Sequence, residues 1–94
     1  MAAYLIVNYD VVDADLYHSY QLQASAILNG GRLLVLDSES DAKEGSPGHQ
    51  TVIIEYPDKE AALAAYHSHE YQSVVGIRHD ATTNGRAVIV NSFG

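Results

Sequence analysis

With 94 residues the chain has room for one small domain, and a chain of this size hides only about 60–65% of the surface that its unfolded form exposes, so its core calls for a supplement. It contains no cysteine, which excludes disulfides and thiolate metal clusters and leaves self-association as that supplement. Apolar residues at 47% and charged residues at 18% describe a globular chain, and a net charge of −7 from five scattered basic and twelve acidic residues excludes a nucleic-acid or anionic-membrane surface.

The first element is Tyr4-Leu5-Ile6-Val7-Asn8-Tyr9, rich in β-branched and aromatic residues and read as a strand. Asp13 is placed to cap a helix, with Asp15 in its first turn. The apolar positions Leu16, Tyr17, Tyr20, Ala24, Ile27 and Leu28 then form one helical stripe. Gly30-Gly31 is expected to end it. Arg32-Leu33-Leu34-Val35-Leu36 reads as the second strand, and the polar stretch 37–49, with Gly45, Pro47 and Gly48, as a loop. Thr51 to Tyr56 is the third strand. Asp58 caps an alanine-rich helix reaching about His67, and Ser68 restarts a short helix that Gly76 is expected to close. Asn84-Gly85 signals a turn, followed by the last strand, Arg86 to Asn91.

The order βαββαβ with right-handed crossovers gives a ferredoxin-like α+β sandwich: a four-stranded antiparallel sheet with helices on one face. A sheet with a wet second face alternates apolar and polar residues. Leu33 to Leu36, Val52 to Ile54 and Ala87 to Val90 are instead apolar on both faces, and the sequence holds no third layer. A second copy of the same sheet would cover that face, so a homodimer is expected. No apolar run approaches the roughly 20 residues of a membrane-spanning helix. Met1-Ala2-Ala3-Tyr4 has no basic leader, and the expected location is the cytoplasm.

Tyr17-His18-Ser19-Tyr20, Gly30-Gly31-Arg32, Lys43-Glu44-Gly45, Glu55-Tyr56-Pro57-Asp58 and the series Ala62, Ala65, Tyr66, Ser68, Glu70-Tyr71-Gln72 to Arg78, in that order and spacing, resemble the DUF1330 family of small bacterial proteins of unknown function. The resemblance covers nearly the whole chain. It implies the dimeric α+β barrel superfamily, whose members include cofactor-independent monooxygenases, lactone isomerases and haem-dependent enzymes. Where relatives often carry a tryptophan or bulky aromatic in the alanine-rich helix, this chain has Tyr66 followed by His67-Ser68-His69.

Among residues able to do chemistry, Arg32 and Arg78 are notable as anion ligands in so acidic a chain, their alternatives being pairing with Glu44, Glu55 or Glu70 or a helix-end interaction. Glu44, beside Gly45, suits a general base or a solvated loop carboxylate. Glu55 suits acid/base work if buried and nothing special if it faces outward. Tyr17 and Tyr20 share a helix face and would line a pocket or simply fill the core. Ser68 reads first as a helix cap and second as a hydrogen-bonding group beside Tyr71. His79, next to Arg78, would titrate beside an anion site or lie on the surface. The five histidines lack metal-ligand spacing, and no phosphate-binding glycine motif occurs, so neither metal nor cofactor is expected.

These observations lead to one domain over residues 1–94 that binds, or acts without a cofactor on, a small anionic or aromatic metabolite between sheet and helices. Arg32, Arg78, Tyr20, Ser68 and Tyr71 are its expected ligand contacts, and Glu44 and His79 its expected proton-transfer groups. The competing reading is a non-catalytic dimeric module in which the same residues only fix loops and the dimer.

Overall fold

In the computed structural model, which describes Met1–Gly94, β1 (Ala3–Val11) presents Ala3, Leu5, Val7 and Tyr9 to one side and Tyr4, Ile6 and Asn8 to the other. Only the first set is buried, so this strand's period of two separates a core face from an open face. β3 (Gln50–Tyr56) pairs antiparallel with it in register, Leu5 opposite Ile54 and Tyr9 opposite Gln50. β2 (Arg32–Asp37) lies outside β3, and β4 (Thr82–Asn91) on the far side of β1, so the sheet order is β2-β3-β1-β4 with antiparallel neighbours. This is the ferredoxin-like α+β arrangement expected from the element order.

The helices are α1 (Ala14–Ser25), α2 (Lys59–Tyr66), α3 (His69–Gln72) and α4 (Val75–Ala81). Asp13 caps α1 by accepting from the Leu16 N–H at 3.0 Å, and Asp58 caps α2 by accepting from the Ala61 N–H at 2.7 Å, as their positions suggested. The core joins the buried face of β1 to Tyr17 and Tyr20 of α1, Ala62 and Ala65 of α2, Tyr71 of α3 and Val75 and Ala81 of α4.

Three local readings are corrected, and β2 carries an irregularity that the sequence does not signal. The first helix stops at Ser25, a turn earlier than expected: Asn29 (φ +54°) and Gly30 (φ +86°) take left-handed conformations in a turn closed by the Gly31 N–H on the Leu28 carbonyl. Ile27 and Leu28 therefore sit in a turn. Gly76 does not close the second helical region; it lies in the first turn of α4, a separate helix after a break at Ser73–Val74. Asn84-Gly85 is no turn between elements either. It falls inside β4, where Asn84 (φ +58°) accompanies a shift in pairing register between Asn8 and Asp10, and the Asn84 amide donates to the Ser46 carbonyl. Lastly, β2 bulges at Leu34: Leu33 pairs with Ile54 and Val35 with Ile53. Leu33 and Leu36, three apart, thereby share the helix-side face, which regular alternation forbids.

Candidate functional site

α2 covers β1, β3 and β4, while α1 packs chiefly against α4. No helix lies down on the inner face of β2, and a cavity of about 300 Å³ opens between α1 and the strands β1, β3 and β2. Its floor is Leu5, Val7, Val52 and Ile54; Leu33 and Leu36 line it from β2 because the Leu34 bulge turns both inward. One wall is α1, through Tyr17, Tyr20 and Ala24. The opposite depth is closed by Tyr9, Tyr71 and Arg78. Six of the seven tyrosines line this space; Tyr4, on the other face of the sheet, is the exception.

Arg78 is the site's principal electrostatic feature. It is only 6% exposed, and both ion pairs of the chain, Arg32 with Glu55 and Lys43 with Asp41, lie elsewhere. Its neighbours are neutral: it donates to the Tyr71 hydroxyl at 2.8 Å, and its guanidinium carbon lies 5.6 Å from the Tyr9 ring centre and 5.9 Å from that of Tyr20. A buried cation without a carboxylate is expensive. Burial works against its charge and the Tyr71, Tyr20 and Tyr9 side chains work for it, and an arginine stays charged in a protein interior.

The tyrosines are joined in pairs, Tyr20 to Tyr71 at 2.8 Å and Tyr9 to Tyr17 at 2.7 Å between hydroxyl oxygens. Burial pushes the Tyr9 and Tyr71 hydroxyls far above the usual phenol range, and raises Tyr17 and Tyr56 as well, so these groups remain protonated donors. A chain in which Arg78 donates to Tyr71, Tyr71 to Tyr20, and Tyr20 to an occupant of the cavity satisfies each group. Such an arrangement of donors suits negative charge and can steady an oxyanion. It holds no carboxylate, and its one imidazole is His18 on exposed α1.

The residues singled out from the sequence fall in different places. Arg78, Tyr20 and Tyr71 meet at the cavity. Arg32 does not: it lies on the opposite face of the sheet, 2.9 Å from Glu55, because the two are cross-strand partners. Ser68 caps α3, accepting from the Tyr71 N–H at 3.2 Å and donating to the Ala65 carbonyl at 2.8 Å; it holds Tyr71 in place without lining the cavity. Glu44 is exposed in the 38–49 loop, and His79 is exposed on α4 beside the buried Arg78, so neither borders the cavity. No group of three or more potential ligands among His, Asp and Glu comes together as a metal site.

Sequence reasoning passed over Tyr9 and Gln50, which face each other across β1 and β3 at this end of the cavity. The signal for Tyr9 was present: it continues the inward series Leu5, Val7. Gln50 is 5% exposed and borders a polar recess that adjoins the cavity along Tyr17, His18 and Gln21.

Comparison with solved structures supports the fold. The protein of unknown function RPA0582 from Rhodopseudomonas palustris superposes with a TM-score of 0.79 at 15% identity, over 99% of this chain and 83% of its own. SnoaB from Streptomyces nogalater, a cofactor-independent oxygenase, gives 0.73 at 11% identity over 99% and 94%. A dimeric ferredoxin-like protein of unknown function from Thermobifida fusca gives 0.66 at 13% identity over 98% and 92%. No curated protein matches the chain. A family model described as "Domain of unknown function (DUF1330)" matches residues 2–93, and the chain belongs to that family.

Proposed function

We propose that this protein binds a small anionic or aromatic molecule in the cavity between α1 and the sheet, and that it does so as a homodimer. The observation that carries the binding reading is Arg78, a buried guanidinium with no carboxylate partner at the depth of an otherwise apolar cavity. An organic anion would supply the missing counter-charge, with Tyr20 and Tyr71 as neutral donors beside it. The reading does not use Glu44, His79 or Arg32.

The dimer reading rests on the open face of the sheet. Tyr4 and Ile6 of β1, Ile53 of β3, Val35 of β2 and Val88 and Val90 of β4 share it, and Val88 is 54% exposed. Two such apolar faces packed together would be covered, and the dimeric state of the Thermobifida fusca protein of the same fold supports a dimer.

A catalytic role would use the same groups. A cation and neutral phenols around a bound enolate or phenolate stabilise the anion without a cofactor, and the likeness to SnoaB supports testing dioxygen uptake with any phenol that binds. The primary experiment is thermal-shift screening against small carboxylates, phenols and lactones, with Arg78→Lys alongside. A ligand at one hundred times its Kd adds about 2.7 kcal/mol to the native state. The expected result is stabilisation by acids or phenols that Arg78→Lys weakens. Stabilisation unaffected by the substitution would refute the site.

A further inference from the structure

We infer that the occupant of this cavity is an amphipathic monocarboxylate, its carboxylate on Arg78 and its apolar chain lying along β3 toward the Leu33–Ile54 pair; this rests on the anion-binding reading above. The cavity has its one guanidinium, and no carboxylate, at one end. Arg78 sits over the Tyr9 ring, Tyr20 and Tyr71 are bonded beside it, and Gln50 pairs with Tyr9 at the same level of the sheet. Four residues along the strand, about 13 Å away, Ile54 and Leu33 face Ile27 and Leu28 from the turn after α1. The hydroxyl protons at that end are engaged: Tyr56 donates to the Leu28 carbonyl at 3.1 Å and Ser25 to the Leu22 carbonyl at 3.1 Å.

The charge count narrows the head group. One guanidinium surrounded by neutral phenols balances one negative charge, and a phosphate dianion would leave a net buried charge. The planar fork of Arg78 suits a carboxylate. The opening narrows the tail. Leu22, Leu33 and Leu36 line the cavity and are yet 62%, 46% and 52% exposed, an apolar rim continuous with the apolar end. An alkyl chain in zigzag advances about 1.3 Å per C–C bond, so with roughly 3 Å for the carboxylate–guanidinium contact an acid of about eight to ten carbons spans the distance and covers that rim.

The test is calorimetric titration of the intact protein with butyrate, hexanoate, octanoate and decanoate below micellar concentration, with octan-1-ol, inorganic phosphate and benzoate as comparisons. Wild type, Arg78→Lys and Leu33→Gln are each checked for mass by light scattering. The expected result is a Kd falling about three- to fourfold per added methylene up to octanoate or decanoate. Octan-1-ol and phosphate should bind at least tenfold more weakly than octanoate, and Leu33→Gln should flatten the series while leaving the wild-type mass. Equal affinity across the series overturns the inference, and if benzoate then binds in an Arg78-dependent manner the anion site itself survives. If no acid binds in an Arg78-dependent manner, both readings fall. Loss of the dimer in Leu33→Gln with the series unchanged shows that a second copy covers the leucine rim, and also overturns the inference.

Discussion

Replacing Arg78 by methionine separates a binding residue from a structural one. In the unliganded protein the guanidinium has lost its hydration for three neutral contacts. Its hydrogen bond to Tyr71 contributes about 1.5–3 kcal/mol, as is usual for a charged donor. The ring faces of Tyr9 and Tyr20 add about 0.5–2 kcal/mol each. Against these stands a desolvation penalty of several kcal/mol. The two sides nearly cancel, and methionine fills similar space with no charge. Arg78→Met should therefore change the stability of the unliganded protein by no more than about 2 kcal/mol in either direction, in line with buried charges replaced by apolar residues. For a domain of this size that is a shift of roughly 8–16 °C at the outside. The assay is thermal and urea unfolding at one fixed protein concentration, with and without octanoate or benzoate. The variant should lose the ligand-induced rise in Tm, with its unliganded Tm inside that range. A variant that falls by more than about 3 kcal/mol without ligand would show that the protein's own contacts with Arg78 well exceed its desolvation penalty, and that Arg78 is there for the fold.

Other consequences can be checked separately. Tyr9, Tyr17, Tyr56 and Tyr71 all have raised pKa values in the folded state. The unfolded chain releases those protons near pH 10 and the native one does not, so this stability is intact below about pH 10 and lost as pH rises beyond it. Absorbance of tyrosinate should rise together with the loss of secondary structure, and four buried tyrosines ionising before unfolding would contradict this. A Cβ on Gly48 would overlap the Tyr9 backbone carbonyl, where Asn8 binds the loop through the Gly48 N–H and C=O. Gly48→Ala should cost about 1–3 kcal/mol, read by urea unfolding. Val88→Asp, on the open face, should halve the mass found by light scattering if two such faces form the dimer. Glu44→Gln and His79→Asn, both outside the cavity, should leave ligand affinity unchanged and stability within about 0.5 kcal/mol.

The strand and helix order was legible because the β-branched and aromatic run of β1 and the two aspartate caps act within a few residues of one another. Departures came where a long-range contact decides between local options. Asn84-Gly85 reads as a turn in isolation, but Asn84 reaches Ser46, and the left-handed residue becomes an irregularity within a strand. Gly76 reads as a helix stop, yet α4 forms because its buried Arg78 and Ala81 find a place against the core. The site was half visible for the same reason. Arg78, Tyr20 and Tyr71 could be named from residue type, but Arg32 is equally basic and lies on the wrong face, a fact fixed by cross-strand pairing with Glu55. A pocket between sheet and helices was expected, but its shape could not be read. It depends on the Leu34 bulge, which brings Leu33 and Leu36 to one face, and on α1 leaning toward α4 instead of covering β2.

Tyrosine fluorescence offers the most direct measurement, because the chain has no tryptophan and six of its seven tyrosines line the cavity. Titrating octanoate and benzoate into wild type, Arg78→Met and Tyr4→Phe should give a saturable change in emission that is kept in Tyr4→Phe and absent in Arg78→Met. Emission that stays constant with both acids, or changes equally without Arg78, would contradict the claim that this buried cation is the anchor of an anion-binding site.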